Sequence, residues 1–122
     1  MNNIEIVPME NNFINNNKNY RNCMEHFRES YESFMGIDSE NHSYQAYTLD
    51  EQIERYSKNI AFWYIQLDKI KNSYGKNSNK LLKVKFIKEQ ILRLINNSHD
   101  VFPDDVPSLI HENALNMKLI YS

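Results

Sequence analysis

One cysteine, two glycines and three prolines are all that this chain contains of those residue types, and each scarcity excludes something. A lone Cys23 cannot form an intrachain disulfide or a thiolate metal site, and it fits a reducing compartment. Two isolated glycines, Gly36 and Gly75, cannot build a phosphate-cradling loop or a nucleophile elbow. So few turn formers are also too few for a protein of many strands. No long uncharged apolar run exists, so no membrane-spanning helix is expected. The N-terminal Met1-Asn2-Asn3-Ile4-Glu5 lacks the basic and apolar regions of a signal peptide. The expected compartment is the cytoplasm, of the protein's own cell or of a host.

What is present is helical patterning. The chain has 122 residues, 41% hydrophobic and 25% charged, enough for one domain with a core and too short for two. Leu49, Ile53, Tyr56, Ile60, Trp63, Leu67, Ile70 and Tyr74 recur at steps of four and three, which draws one apolar stripe along a long helix over residues 49–74. The flanking Gln52, Asn59, Gln66 and Ser73 are polar, so most of this helix reads as one-sided. Its middle does not. Ala61, Phe62 and Ile65 point away from the stripe and leave almost no polar face, and a helix apolar all round is enclosed all round. The neighbours come from the same chain or from a second copy.

The other elements follow by the same reading. Residues 1–17 form a loose polar arm in which Ile4-Glu5-Ile6 alternates like a short strand until Pro8. A first helix begins within residues 15–19, carries the stripe Tyr20, Met24, Phe27, Tyr31 and Phe34, and stops at Gly36. A connector rich in Asp, Ser and Asn leads to Thr48-Leu49-Asp50-Glu51, which matches a capping box. After the turn Gly75-Lys76-Asn77-Ser78, a third helix over residues 79–95 returns antiparallel, with Leu81, Val84, Ile87, Ile91, Leu94 and Ile95 as its core face and Leu82 and Phe86 on its back. Asn96-Asn97-Ser98 ends it. A shorter helix starts near Pro107, capped by Asp104 or Asp105. The fold expected is all-α: an antiparallel bundle of three long helices and a shorter C-terminal one, which dimerisation would complete through Phe62, Ile65, Leu82 and Phe86.

Charge is uneven although the formal net is −2. Over residues 68–93, Lys69, Lys71, Lys76, Lys80, Lys83, Lys85, Lys88 and Arg93 stand against Asp68 and Glu89. The plain reading is a basic helix beside acidic neighbours. The sharper one is a basic face, centred on Lys69, Lys76, Lys80, Lys83 and Lys88, that attracts nucleic acid or an acidic protein.

Candidate chemistry is sparse. Arg21-Asn22-Cys23-Met24-Glu25-His26 resembles the R-N-x-x-x-H signature of HEPN ribonucleases, all-α proteins that pair so that Arg and His act at one scissile phosphate without metal. The resemblance covers six residues. It implies that Arg21 stabilises charge and that His26 is the acid or base. On the helical register the two fall on different sides, both off the core stripe, as a solvated pair also would. His42, His99 and His111 are scattered, and no pair has the spacing of a helical zinc site. No metal and no cofactor is expected.

The leading expectation is therefore a small non-catalytic protein that binds another macromolecule through helix faces, a regulator or inhibitor that forms a homodimer. Heavy use of Asn, Ile and Lys reads as the coding bias of an AT-rich genome, in keeping with a phage or viral source. Nucleic-acid binding through the basic face is the alternative, and the HEPN-like ribonuclease the second.

Overall fold

The computed structural model describes residues 18–36, 47–73 and 78–122. The N-terminal arm with its strand-like Ile4-Glu5-Ile6, most of the connector after Gly36, and the turn that holds Gly75 and Lys76 lie outside these. Among the described residues every regular element is a helix: α1 (Lys18–Met35), α2 (Leu49–Lys71), α3 (Ser78–Val101) and α4 (Val106–Tyr121).

Local chemistry explains where they start and stop. The Glu51 backbone N–H donates to Thr48 Oγ1 at 3.2 Å, and the Thr48 N–H donates to Glu51 Oε1 at 3.1 Å, so two free donors at the α2 N-terminus are satisfied by one reciprocal pair. At the end of α1, Gly36 adopts φ +70°, the left-handed conformation that glycine enters without steric cost. The junction between α3 and α4 is tighter. Asp104 takes φ 38°, the Val106 N–H donates to the Pro103 carbonyl at 3.0 Å, and Pro107 sits in the first turn of α4. Asp105 occupies the cap position but makes no side-chain cap bond, contrary to the expected carboxylate cap.

α2 is the hub and packs against all three other helices. Its middle carries the largest enclosed side chains: Phe62 and Trp63 are each 1% exposed and Ala61 is fully covered. Around them stands a layer of rings. Phe27 meets Trp63 edge-on at 5.5 Å between centroids and stacks over Phe86 at 6.1 Å, while Tyr31 meets Phe62 at 5.3 Å and Trp63 at 5.9 Å. Rings at such separations add to the area term that drives burial. The apolar cluster draws on all four helices, through Phe27 and Tyr31, Ile60 and Trp63, Ile87 and Leu94, and Ile110 and Ala114.

α3 departs from expectation in two ways. It runs straight through Asn96-Asn97-Ser98 to Val101, because Ser98 is buried with its hydroxyl donating to the Ile95 carbonyl at 2.6 Å, and Phe102 anchors the chain one turn further on. A hydroxyl bonded back to its own helix no longer competes with it. The core face is also rotated. Leu81 is 71% exposed, whereas Phe86 and Gln90 are fully covered; the buried stripe is Phe86, Ile87, Gln90, Ile91, Leu94 and Ser98. Of the expected polar flank of α2, Gln52 and Asn59 are drawn inside while Gln66 is half-buried and Ser73 exposed, and Ser57 is buried as well. Gln52 is accommodated by donating to the Tyr47 carbonyl at 2.9 Å, and Ser57 by donating to the Ile53 carbonyl at 2.6 Å.

Candidate functional site

Phe62, Ile65 and Phe86 lie inside the chain's own core, and Leu82 is half-buried against it. The second apolar faces of α2 and α3 are thus enclosed by helices of the same chain. Large apolar side chains remain exposed at Leu49, Leu81, Leu92 and Val101, and they are densest on α4. At about 100° per residue, Ser108, Leu109, Glu112, Leu115, Asn116, Leu119 and Ile120 share the arc opposite Pro107, Ile110 and Ala114. Four of those seven are large and apolar. Leu119 and Ile120 are 75% and 74% exposed, with Leu109 and Leu115 also open to solvent. Glu112 is the single charge on the arc, because Lys118 lies to one side and pairs with Asp68 of α2 at 2.8 Å.

Of the lysines expected to form a basic face, Lys80, Lys83 and Lys88 fall within an arc of about 140° around α3, while Lys85 stands about 160° from Lys83. Lys80 donates to the Ser73 carbonyl at 2.7 Å, beyond the end of α2, and Lys83 bears on Cys23 and His26 of α1. Lys69 and Lys88 are exposed, and Lys76 falls outside the described residues. Arg21 and His26 are both exposed on α1 and about 140° apart. Partial burial and then the Lys83 charge lower the His26 pKa, and its ring meets Phe27 edge-on at 4.9 Å. Neighbouring Cys23 is buried, and burial raises its thiol pKa, so it packs as a protonated, apolar residue.

Neither a family model, nor a curated protein, nor a solved structure matches this chain. Its function must therefore be read from its surfaces and side-chain clusters.

One cluster corresponds to no pattern in the sequence. Where α1, α2 and α3 meet, Tyr31, Tyr56, Asn59 and Gln90 are all buried, and the Arg93 side chain enters among them with its Nη2 donating to Gln90 Oε1 at 2.8 Å. Arg93 Nε and Nη1 are out of contact with solvent, and no group among the described residues accepts from them. Burial pushes the Arg93 pKa down to about 10. Burial likewise pushes Tyr56 up to about 12, and Tyr31 well above the ordinary tyrosine range. Asn59 stands near the Tyr31 hydroxyl and Asn97 near that of Tyr56, but neither hydroxyl completes a hydrogen bond among the described residues. Arg55 approaches from α2 with its guanidinium 4.8 Å from the Tyr47 ring centroid and its Nε unbonded. Among the described residues neither arginine forms an ion pair with a carboxylate at contact distance, although the Arg55 charge is felt at Glu51 and helps to lower its pKa. From sequence, Arg93 reads as one more solvated cation. Only the covered polar positions at Asn59 and Gln90, one turn or so from tyrosines, could have signalled otherwise.

Among the described residues no group of three His, Cys, Asp or Glu is placed to hold a metal ion, and no helix is long and apolar enough to cross a membrane.

Proposed function

We propose that this chain is a non-catalytic binding protein, a regulator or inhibitor, that makes its protein contacts through the outer face of α4. The observation that carries this reading is the exposure of Leu109, Leu115, Leu119 and Ile120 on one arc of one helix. Scattered surface leucines need no explanation, but a contiguous apolar strip held on a rigid helix marks an interaction surface. The helix is fixed from behind by Ile110 and Ala114 in the core and by the Lys118–Asp68 pair, so the strip is presented without an ordering cost on binding.

The occupant we assign is a second copy of the chain. An isologous contact sets a face against itself, which punishes any patch rich in one sign of charge. This arc has only Glu112, flanked by neutral Ser108 and Asn116, and meets its own image without stacked like charges. Phe62, Ile65 and Phe86, which the sequence pattern suggests for that contact, give way to α4, since those side chains are already covered.

Sedimentation equilibrium tests the reading directly. The wild type should sediment as a dimer at micromolar concentrations, and Leu119→Asp should give a folded monomer. A wild-type chain that is monomeric at hundreds of micromolar would overturn it.

A further inference from the structure

The cluster around Arg93 is built from groups that want an acceptor. Of the seven buried polar atoms without a hydrogen-bond partner among the described residues, six are able to donate: Tyr31 Oη, Tyr56 Oη, Arg55 Nε, Gln90 Nε2, and Nε and Nη1 of Arg93. Asn59 Oδ1 can only accept, the two tyrosine hydroxyls can do either, and the two ends of an amide exchange by a simple flip. Buried donors in such number are rare in folded proteins, because each carries a desolvation penalty. The Arg93 guanidinium, with Nε and Nη1 both out of solvent, raises that penalty further.

Water alone does not answer this arrangement. A water molecule donates as readily as it accepts, and it cannot offset a cation held out of solvent. A compact group with several lone pairs and a negative charge does both. Arginine's planar fork is also the side chain best matched to such a group. Two nearby carboxylates are otherwise engaged or turned away. Glu51 is held in the capping box with Thr48, and Asp100, whose charge is felt at Tyr56, is exposed on α3.

We propose that the junction of α1, α2 and α3 is an oxyanion site, in which Arg93, Arg55, Tyr31, Tyr56 and Gln90 bind a carboxylate or phosphate group. The site is distinct from the α4 strip, and its donors are closed to solvent in this packing, so an anion reaches them only as α1 parts from α2 and α3. Tyr31 belongs to α1 whereas the other residues belong to α2 and α3, so an anion here ties α1 to the rest of the fold.

The test uses the full chain and the Arg93 Nε–Hε resonance in ¹⁵N-resolved NMR. Inorganic phosphate and acetate are titrated separately against chloride at matched ionic strength. The site predicts a saturable shift of that resonance with at least one of the two anions, and a rise in thermal midpoint that chloride does not reproduce. Arg93→Lys should weaken the response by about tenfold, since the fork is lost while the charge remains, and Tyr56→Phe should weaken it less. A resonance indifferent to both anions overturns the proposal. So does a resonance silent to both but displaced by Asp38→Asn or Glu40→Gln, because the chain's own carboxylate would then be the counter-charge. If the Arg93 variant fails to fold, the wild-type titration still decides.

Discussion

Tyr64 Oη and His111 Nε2 lie 2.9 Å apart and join α2 to α4 by a side-chain hydrogen bond, whose direction follows the imidazole tautomer. The rings are 5.9 Å apart between centroids, and the Lys118 ammonium stands 5.9 Å from the Tyr64 ring. This polar clasp holds α4 in place at a level where its outer side has nothing else to grip. Tyr64→Phe should lower the free energy of unfolding by about 1 kcal/mol. Combined with His111→Ala in a double-mutant cycle, it should show positive coupling. Additive losses in urea denaturation would mean the bond adds no stability.

Phe62 and Leu119 provide a contrast between core and surface. Phe62→Ala empties a fully enclosed site and should cost about 3–5 kcal/mol, visible as a large drop in the urea midpoint. Leu119→Asp should leave that midpoint nearly unchanged, once the shared effect of association is removed by working at low concentration.

Arg93→Met removes a buried charge whose desolvation is poorly offset. In chloride buffer it should raise stability by about 1 kcal/mol or more. Calorimetric midpoints for the two proteins provide the comparison. In phosphate the gap should narrow, because the anion stabilises only the wild type. A midpoint for Arg93→Met below that of wild type in chloride would count against an uncompensated cation.

Alkaline pH should act through the same cluster. Burial raises the Tyr56 pKa to about 12 and Tyr31 higher still, so the folded state keeps protons that the unfolded chain releases near pH 10. Their contribution is full below the ordinary tyrosine pKa and is lost as pH climbs through about 12. Arg93, lowered to about 10, works in the opposite sense and regains stability above that pH. Two raised groups outweigh one lowered group, so the net effect is loss. Tyr56→Phe should flatten the decline in stability between about pH 10 and pH 12, as followed by circular dichroism.

The capping box gives a prediction in acid. Thr48→Ala should cost about 1 kcal/mol. Chiefly the backbone N–H of Thr48 lowers the Glu51 pKa, so the carboxylate's share of the cap is present above the ordinary carboxylate pKa and disappears as pH falls through the depressed one. The difference between wild type and Glu51→Ala, measured by thermal melting, should therefore shrink in acid, whereas that for Thr48→Ala should change less, because the backbone N–H at position 48 remains.

Much of this architecture is legible from residue spacing. The four helices, the Thr48–Glu51 box, the Gly36 stop and the enclosure of the hydrophobic middle of α2 all follow from periodicity and local hydrogen-bonding chemistry, which act within a few residues. The errors arise where tertiary packing outvotes local preference. Asn96-Asn97-Ser98 looks like a breaker, yet Phe102 gains enough by burial to carry the helix through it. Leu81 reads as core and lies in water because the face of α3 is set by Phe86 and Gln90, the latter a polar residue that hydropathy assigns to the outside. The Arg93 cluster is invisible in the sequence for a deeper reason: its members come from three helices, and no linear pattern encodes their meeting. The exposed arc of α4 is legible only as a surplus of apolar residues, without the knowledge of which ones α2 would claim.

Trp63 is the chain's single indole, and it sits beneath Phe27 and Tyr31 of α1 while belonging to α2. Its emission is therefore a private gauge of whether the first helix is seated. Partial lifting of α1 would redden that light while the backbone signal of the remaining helices held steady, and any molecule that clamps α1 down would be read out optically without a label.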